Sequence, residues 1–485
     1  MKKVAKHTLT ILYRCIGYGL LVTFVSIVSI VVYVLEQRAD LDIWHEVDLD
    51  TEYRESMDLQ DFSEYLALED RLFEQLEKEV YEKTPAGDAT SINRFHKGSM
   101  MDPTSMTTNW NRTFIMEQNE PSAGVLLLHG LSDSPYSLRH FADKFYQSGA
   151  NVIGLRIPGH GTAPCGLVDV KWKDWAAAVR LAAKHLKQEI GDKPFYLVGY
   201  SNGGALSVIY SLESINEPAL PIPDGIILLS PEIGVSKAAS LAVWQGRMGH
   251  WLGLDKLAWN SIKLEYDPYK YSSFAVNAGD QAHRITHEIE KRISKMEGDR
   301  GLGAFPRVLA FQSAVDATVT APTLVSRLFS RLPEKGHELV LFDINRRKGI
   351  EHLLTKDPAA EFTPLLKGSE HSFALSVVTN AREENAVSSE VLLKHRDAGQ
   401  SEITSTPIGI DWPQDIFSLS HIALPFPESD PLYGSGGSKK AATLGNRALR
   451  GERGTLLISP GEMLRQKWNP FYPWMEKKTL EFMKL

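Results

Sequence analysis

Cysteine is nearly missing from this chain: Cys15 and Cys165 are the only two among 485 residues. One lies in an apolar run and the other far away in a loop-like stretch. A disulfide framework is therefore unsupported, and no CxxC or clustered His/Cys spacing offers a metal site. Long blocks of like charge are missing as well. With a net charge of −7 and no basic stripe, the chain is not suited to nucleic acid. There is no internal repeat and no low-complexity tract. What is left, 43% hydrophobic and 23% charged, is ordinary globular composition. Its length suits one large domain with insertions, or two to three smaller ones.

The long uncharged run stands near the N-terminus. Residues Cys15–Leu35 read CIGYGLLVTFVSIVSIVVYVL, and about 20 apolar residues are enough to cross a bilayer core as a helix. Lys2, Lys3, Lys6 and Arg14 precede the run; Glu36, Asp40 and Asp42 follow it, with Arg38 the exception. The positive-inside rule then expects residues 1–14 in the cytoplasm, a single-pass anchor at 15–35, and the rest on the outer, periplasmic or extracytoplasmic side. A cleaved signal peptide would need a shorter apolar region and a small-residue cleavage site, which YVLEQRAD does not provide. Residues 36–110 read as an acidic helical stalk and linker. In it Leu59, Phe62, Leu66, Phe73, Leu76 and Val80 recur at helical spacing. Packing on its own domain is preferred there to a coiled-coil contact between copies.

From residue 111 strand and helix signals alternate. Gly124–Gly130, Asn151–Ile157, Phe195–Tyr200, Gly225–Ser230 and Arg307–Gln312 are continuous apolar strands; Leu138–Ser148 and Lys173–Ile190 are helices, and another begins at Ser201. That alternation means a mostly parallel sheet covered on both faces. The rhythm breaks over 233–305, where Trp244, Trp251 and Trp259 accompany helical periodicity. This stretch is expected to be a helical lid, its apolar residues lining an acyl pocket or packing on the sheet. Core segments 111–232 and 306–485 flank it. In the second, Glu338–Ile344, Phe373–Asn380 and Asp415–Ser420 read as strands, and the tail around Gly434–Gly437 and beyond is loop-rich.

Gly199-Tyr200-Ser201-Asn202-Gly203 is a G-x-S-x-G motif between an apolar strand and a helix. That setting is what a nucleophile elbow requires: a strained serine on a sharp turn, with small neighbours and a helix N-terminus close by. Ser201 is the expected nucleophile. In such an architecture one oxyanion-hole amide comes from the loop after the earlier strand and the other from the residue after the nucleophile. Those are the N–H groups of Leu131 and Asn202. His129 precedes the serine, whereas the expected order is serine, acid, histidine, so it reads as structural.

HGLSDSPYS, RIPGHGT and GYSNGG, in this order and spacing, resemble the monoacylglycerol-lipase and carboxylesterase branch of the α/β-hydrolases, which is grouped with the serine aminopeptidase family. The resemblance is close from about Asn111 to Ser230 and loose elsewhere. It implies an α/β-hydrolase fold, a loop-shaping role for His160, and a catalytic acid after the strand that follows the lid. Asp316 occupies that position, with a helix-capping role as its alternative and Asp343 as runner-up. For the base, His337, His352, His371, His395 and His421 all follow the acid. The family spacing suits His352. The segment Asp415–Ser420 instead delivers His421 into the loop IALPFPESDPLYG, and His421 is preferred over His352 and His371. The choice requires an insertion between about Asn345 and Gln414.

The resemblance implies hydrolysis of carboxylic esters, monoacylglycerol-type lipids or short- to medium-chain esters among them, through an acyl-enzyme on Ser201, with no cofactor or metal. Amidase, aminopeptidase or thioesterase chemistry on the same machinery is the alternative, as is a catalytically silent binding domain of the cell envelope.

Overall fold

Apolar runs bounded by turn residues become strands of one ten-stranded sheet in the computed structural model, which describes residues 2–88, 90–234, 255–299, 301–382, 387–436, 444–445 and 459–485. The strands are β1 (Phe114–Met116), β2 (Ala123–Leu128), β3 (Ala150–Leu155), β4 (Phe195–Tyr200) and β5 (Gly225–Leu229). Beyond a separate pair, β6 (Trp259–Ser261) and β7 (Phe274–Ala275), come β8 (Arg307–Ser313), β9 (Glu338–Phe342), β10 (Ala374–Arg382), β11 (Val387–Arg396) and β12 (Thr404–Asp411). Their spatial order is β1-β3-β2-β4-β5-β8-β9-β10-β11-β12. From β3 to β10 all pairings are parallel, with antiparallel β1 at one edge and β11 and β12 at the other.

Side chains alternate between two layers, as a pleated strand requires. Leu126, Leu128, Leu197, Ile226 and Leu228 pack beneath the helices Phe62–Leu76, Trp172–Ile190, Asn202–Ser214 and Val276–Asp299. Val125, Leu127, Tyr196, Val198 and Ile227 face the helices Arg139–Gln147 and Tyr472–Met483. Each such fully buried aliphatic contributes about 1.5–3 kcal/mol relative to exposure. After β2 the chain crosses to β3 on one side, while β4 lies on the other. Reversal of strand order opens a crevice at the carboxyl ends of β2 and β4.

Several expectations are corrected. Asp415–Ser420 is not a strand; it is a turn held by Asn345, whose Nδ2 donates to the carbonyls of Pro413 (2.9 Å) and Ile416 (3.0 Å). The insertion between Asn345 and Gln414 extends the sheet through β10, β11 and β12. Within the loop-rich tail, Tyr472–Met483 is a helix whose Tyr472, Met475 and Met483 are buried. The stripe of the helix Phe62–Leu76 is also rotated: Tyr65, Leu68 and Leu72 are buried, whereas Leu66 and Phe73 are only partly so. Tyrosine and a carboxylate, Glu69, fill positions that an apolar pattern alone overlooks.

Residues 36–110 pack along the domain. Arg156 at the end of β3 is wholly buried and bidentate to Glu52 (both contacts 3.0 Å), with its Nε on Glu69 (2.9 Å). Tyr65 Oη donates to the Arg156 carbonyl at 2.6 Å. The N-terminal helix Lys2–Glu36 contains a span, Tyr13–Glu36, of mean hydropathy 2.4. This helix is long and apolar enough to cross a membrane, and Tyr18, Leu20, Leu21, Phe24, Ile30 and Tyr33 on it are exposed, whereas Leu35 is buried. Just beyond it, Arg38 Nη1 donates to the carbonyls of Lys256 (3.1 Å) and Trp259 (2.6 Å), and Lys256 Nζ donates to Asp40 at 2.7 Å. Of the expected lid, Trp244 and Trp251 lie outside the described residues. Trp259 is buried edge-on against His45 (4.9 Å), and the helix Val276–Asp299 places Ile285, Ile289 and Ile293 in the core layer.

Candidate active site

Strand β4 ends in a sharp turn. Ser201 has φ 54° and ψ −115° just ahead of the helix Asn202–Ser214, a left-handed conformation that costs a non-glycine residue about 1–3 kcal/mol. The turn tolerates it because its neighbours lack side chains. A Cβ at Gly203 would stand 1.9 Å from the Leu128 carbonyl oxygen, and one at Gly199 2.3 Å from that of Gly203. The helix is pressed against the end of β2, where an alanine does not fit.

Ser201, His421 and Asp316 meet here. His421 Nε2 lies 3.0 Å from Ser201 Oγ, and its Nδ1 lies 2.8 Å from Asp316 Oδ2. All three side chains are buried. Asp316 Oδ1 accepts from the backbone N–H of Thr318 (2.8 Å) and Val319 (3.1 Å), and Oδ2 also accepts from Gln312 Nε2 (3.0 Å). Burial pushes its carboxyl up. The hydrogen bond and charge of His421, with the two amides, outweigh that and hold it below the usual carboxylate range. An ionised Asp316 only accepts, so Nδ1 carries the imidazole proton. The neutral ring then turns an unprotonated Nε2 toward the serine hydroxyl. The loop after β2 touches the same serine: a Cβ at Gly130 would lie 3.2 Å from Ser201 Cβ. Among the described residues, the backbone N–H groups of Leu131 and Asn202 have no acceptor, as donors awaiting an anion would.

The other histidines are occupied elsewhere. His129 is fully buried; its Nδ1 donates to the Gly130 carbonyl (2.9 Å) and its Nε2 accepts from the Ile157 amide (3.1 Å). Burial, aided by the proximity of His160, keeps its pKa well below normal. His160 Nδ1 donates to the Pro158 carbonyl at 3.0 Å. His337 accepts from the Val308 amide, His371 lies against Phe373, and His352 is exposed on the short turn Ile350–Leu353. Asp343 is committed to Arg346 and Thr379.

A second serine–histidine–aspartate set also occurs, with Ser376 Oγ 2.8 Å from His395 Nδ1 and His395 Nε2 3.1 Å from Asp397. Ser376 donates its proton to Glu338 (2.6 Å) and lies within β10 rather than on an elbow, so this set lacks a free nucleophile. Among the described residues no cluster of His, Cys, Asp and Glu is arranged to hold a metal ion.

Sequence reading overlooked three groups around the crevice. Lys270, between β6 and β7, has its Nζ 3.6 Å from Asp133 on the loop after β2. Tyr271 donates its N–H to the Ser132 carbonyl (2.8 Å), and its hydroxyl accepts from the Thr162 amide (2.8 Å). The third is Glu232, after β5, whose N–H donates to the Ser201 carbonyl at 2.9 Å. None of the three carries a local motif; the fold alone brings them in.

Comparison with known proteins agrees with this architecture. A model of the serine aminopeptidase (S33) family of hydrolases matches residues 119–357. The chain is 34% identical to a thermostable monoacylglycerol lipase of Bacillus sp. (strain H-257) over 91 residues, 19% of this chain and 35% of that protein. It is 25% identical to an uncharacterized abhydrolase domain-containing protein of Dictyostelium discoideum over 227 residues, 44% of this chain and 23% of that one. The matched region thus spans about a third of the curated lipase and about a quarter of the second relative. Among solved structures, a soluble variant of the Saccharomyces cerevisiae monoglyceride lipase in complex with a substrate analog aligns at 17% identity and TM-score 0.36, covering 47% of this chain and 81% of that one. Parallel sheet, elbow motif and the family match over residues 119–357 together support an α/β-hydrolase similar to the monoacylglycerol-lipase and esterase branch.

Proposed function

We propose that the protein is a membrane-anchored serine hydrolase that cleaves carboxylic esters through an acyl-enzyme on Ser201. The observation that carries this reading is the continuous hydrogen-bond line Ser201–His421–Asp316, on a strained elbow beside two amides without acceptors. His421 Nε2 takes the hydroxyl proton as Ser201 Oγ forms a bond to the ester carbonyl carbon. The carbonyl oxygen becomes an oxyanion, received by the N–H groups of Leu131 and Asn202; each such donor is typically worth about 3 kcal/mol in the transition state. Asp316 steadies the imidazolium without taking its proton. His421 then gives that proton to the leaving alcohol as its C–O bond breaks. Water, deprotonated by the same histidine, releases the acid and restores the serine. Residues 15–35 serve as the anchor, and the segment 233–305, short of its core helix Val276–Asp299, as the lid over an apolar acyl site.

The test is labelling by a fluorophosphonate probe together with ester turnover. Wild type should label covalently and Ser201→Ala should not. His421→Ala should lose about 10⁴-fold or more in kcat, while His352→Ala and His371→Ala stay close to wild type. Failure of folded wild type to label, or equal labelling of Ser201→Ala, would sink the proposal. Retained turnover in His421→Ala would overturn the base.

A further inference from the structure

The Leu131 amide sits on a turn that is weakly closed from within. Leu131 and Ser132 are the middle residues of Gly130–Asp133, where the Asp133 N–H reaches the Gly130 carbonyl over a long 3.4 Å. Ser132 is left-handed, with φ 58°, at the third turn position, where glycine is usual. Such a residue persists only where its surroundings fix it. A peptide unit is planar and trans, so the Leu131 N–H points opposite to the Gly130 carbonyl. Whatever fixes that carbonyl therefore aims the amide. His129 Nδ1 and the Asp133 N–H both donate to it.

Outside support comes from residues 262–273, the strap between β6 and β7. The Tyr271 N–H donates to the Ser132 carbonyl at 2.8 Å. The hydroxyl of the same tyrosine accepts from the Thr162 amide (2.8 Å) and donates to the Gly159 carbonyl (3.3 Å), both on the loop after β3. Lys270 Nζ lies 3.6 Å from Oδ2 of the buried Asp133. Asp133 Oδ1 accepts from the Ser134 N–H (2.9 Å), and Oδ2 accepts from the Ser137 hydroxyl. Burial works against the Lys270 ammonium, but Asp133, Tyr200 and Asp267 around it outweigh burial and raise its pKa, so the group stays charged. The strap is itself tied down. The buried Glu265 carboxylate accepts from the N–H groups of Ser272 (2.9 Å) and Ser273 (2.8 Å). Asn111 Nδ2 donates to the Pro268 carbonyl (2.9 Å). His45, whose Nδ1 accepts from the Asp42 N–H, donates from Nε2 to Ser273 Oγ (3.0 Å).

We propose that Lys270 and Tyr271 are positioning residues for the oxyanion hole, holding through Asp133 and Ser132 the turn that aims the Leu131 N–H, a role that rests on the serine-hydrolase reading and extends it to the strap. An oxyanion donor acts on charge that develops only in the transition state, so its misplacement lowers kcat and leaves KM alone.

The experiment assays the full-length chain in detergent on p-nitrophenyl butyrate, as wild type, Lys270→Met, Lys270→Arg and Tyr271→Phe, with thermal unfolding as the folding control. Inhibition by a trifluoromethyl ketone, whose adduct with Ser201 carries an oxyanion, is measured alongside. Lys270→Met should lose roughly 10- to 100-fold in kcat, part of what deleting a donor costs. Its KM should stay within about twofold, and ketone affinity should weaken by the same factor as kcat/KM. Lys270→Arg keeps the charge and should retain most of the rate. Tyr271→Phe keeps the N–H to Ser132 but releases the loop after β3, and should lose kcat in the same direction, by less than Lys270→Met. The proposal is overturned if kcat of Lys270→Met stays within about twofold of wild type, or if KM rises at unchanged kcat, which would put Lys270 on the substrate. A rate in Lys270→Arg as low as in Lys270→Met would also overturn it, as would unchanged ketone affinity beside a fallen kcat. A Lys270→Met variant that melts early is replaced by the double variant Asp133→Asn, Lys270→Met, which buries no unpaired charge. Its kcat should still be low at unchanged KM, and a wild-type kcat there would overturn the proposal. Folded wild type that neither turns over the ester nor labels with fluorophosphonate would sink the hydrolase reading itself; an active wild type with unmoved variants sinks the strap's role alone.

Discussion

At the level of single residues, burial sets the protonation of four histidines outside the Ser201–His421–Asp316 line. His45, His160 and His337 are buried, and burial lowers each pKa to about 4; His129 is lower still. In the unfolded chain a histidine titrates at about 6.5. Below that pH the unfolded chain binds protons that these four refuse in the native state, so stability falls as pH falls from about 6.5 toward 4. The carboxyls of Asp42, Asp133, Glu232, Glu265 and Glu476 are raised by burial and act in the opposite direction, so the effect is tested on a single histidine rather than on the sum. Each buried histidine should cost about 1–2 kcal/mol between pH 7 and pH 5. His160 tests this best, because protonating its partnerless Nε2 would bury an unpaired N–H. In urea denaturation His160→Gln should lose visibly less stability than wild type over that interval. Equal losses would mean that His160 takes up its proton while folded.

At the scale of elements, the loop after β3 is fastened by a carboxylate pair that the chain supplies about a hundred residues earlier. Arg156 has nowhere else to send its charge: Glu52 and Glu69 take its Nη1, Nη2 and Nε, and the His160 carbonyl takes a second bond from Nη1 (3.1 Å). Removing one partner of such a buried pair costs about 3–5 kcal/mol, because the remaining charge stays buried. Glu52→Ala should destabilise the domain by about that amount in chemical denaturation; a loss below about 1 kcal/mol would show that Glu69 and the carbonyls suffice. The network was invisible in the sequence because Glu52 and Glu69 look like any charges in an acidic stretch. The central strands were legible, since FYLVGY and GIILLS are buried on both faces and carry unbroken apolar runs. The elbow was legible because its chemistry is local, three small residues at a strand–helix junction. His421 was harder. Its distance from Asp316 is set by β10, β11 and β12, and the half-exposed outer strands do not announce how many residues separate a catalytic pair. The stretch DIFSLS just before it looks like a strand but is a turn, from which Ile416 and Leu419 are buried while Phe417 is exposed. Lys270 and Tyr271 gave no signal at all, because a residue that braces a distant turn is recognised only once the fold has brought the two together.

For the molecule as a whole, the question is how an exposed apolar helix and a packed enzyme domain share one chain. Leu35, the last apolar residue of the helix, is already buried against the domain, and Arg38 is hydrogen-bonded to the segment that begins at Asp255. The join between them is thus short and fastened, and the domain can keep its N-terminal contacts without the helix. Truncation before Leu35 spares Arg38, Asp40, Glu52 and Glu69, whereas truncation after Thr84 removes both partners of Arg156. The shorter deletion should leave a folded enzyme that moves from the membrane pellet to the soluble fraction and still labels at Ser201. The longer one should not fold. If the shorter deletion stays in the pellet while folded, the helix is not what holds the protein there. The orientation expected of a membrane anchor rests on Lys2, Lys3, Lys6 and Arg14 before the span against Glu36, Asp40 and Asp42 after it. An alkaline phosphatase fused after residue 60 should therefore be active. A silent fusion would place the hydrolase on the cytoplasmic side and reverse the topology while leaving the chemistry of Ser201 intact.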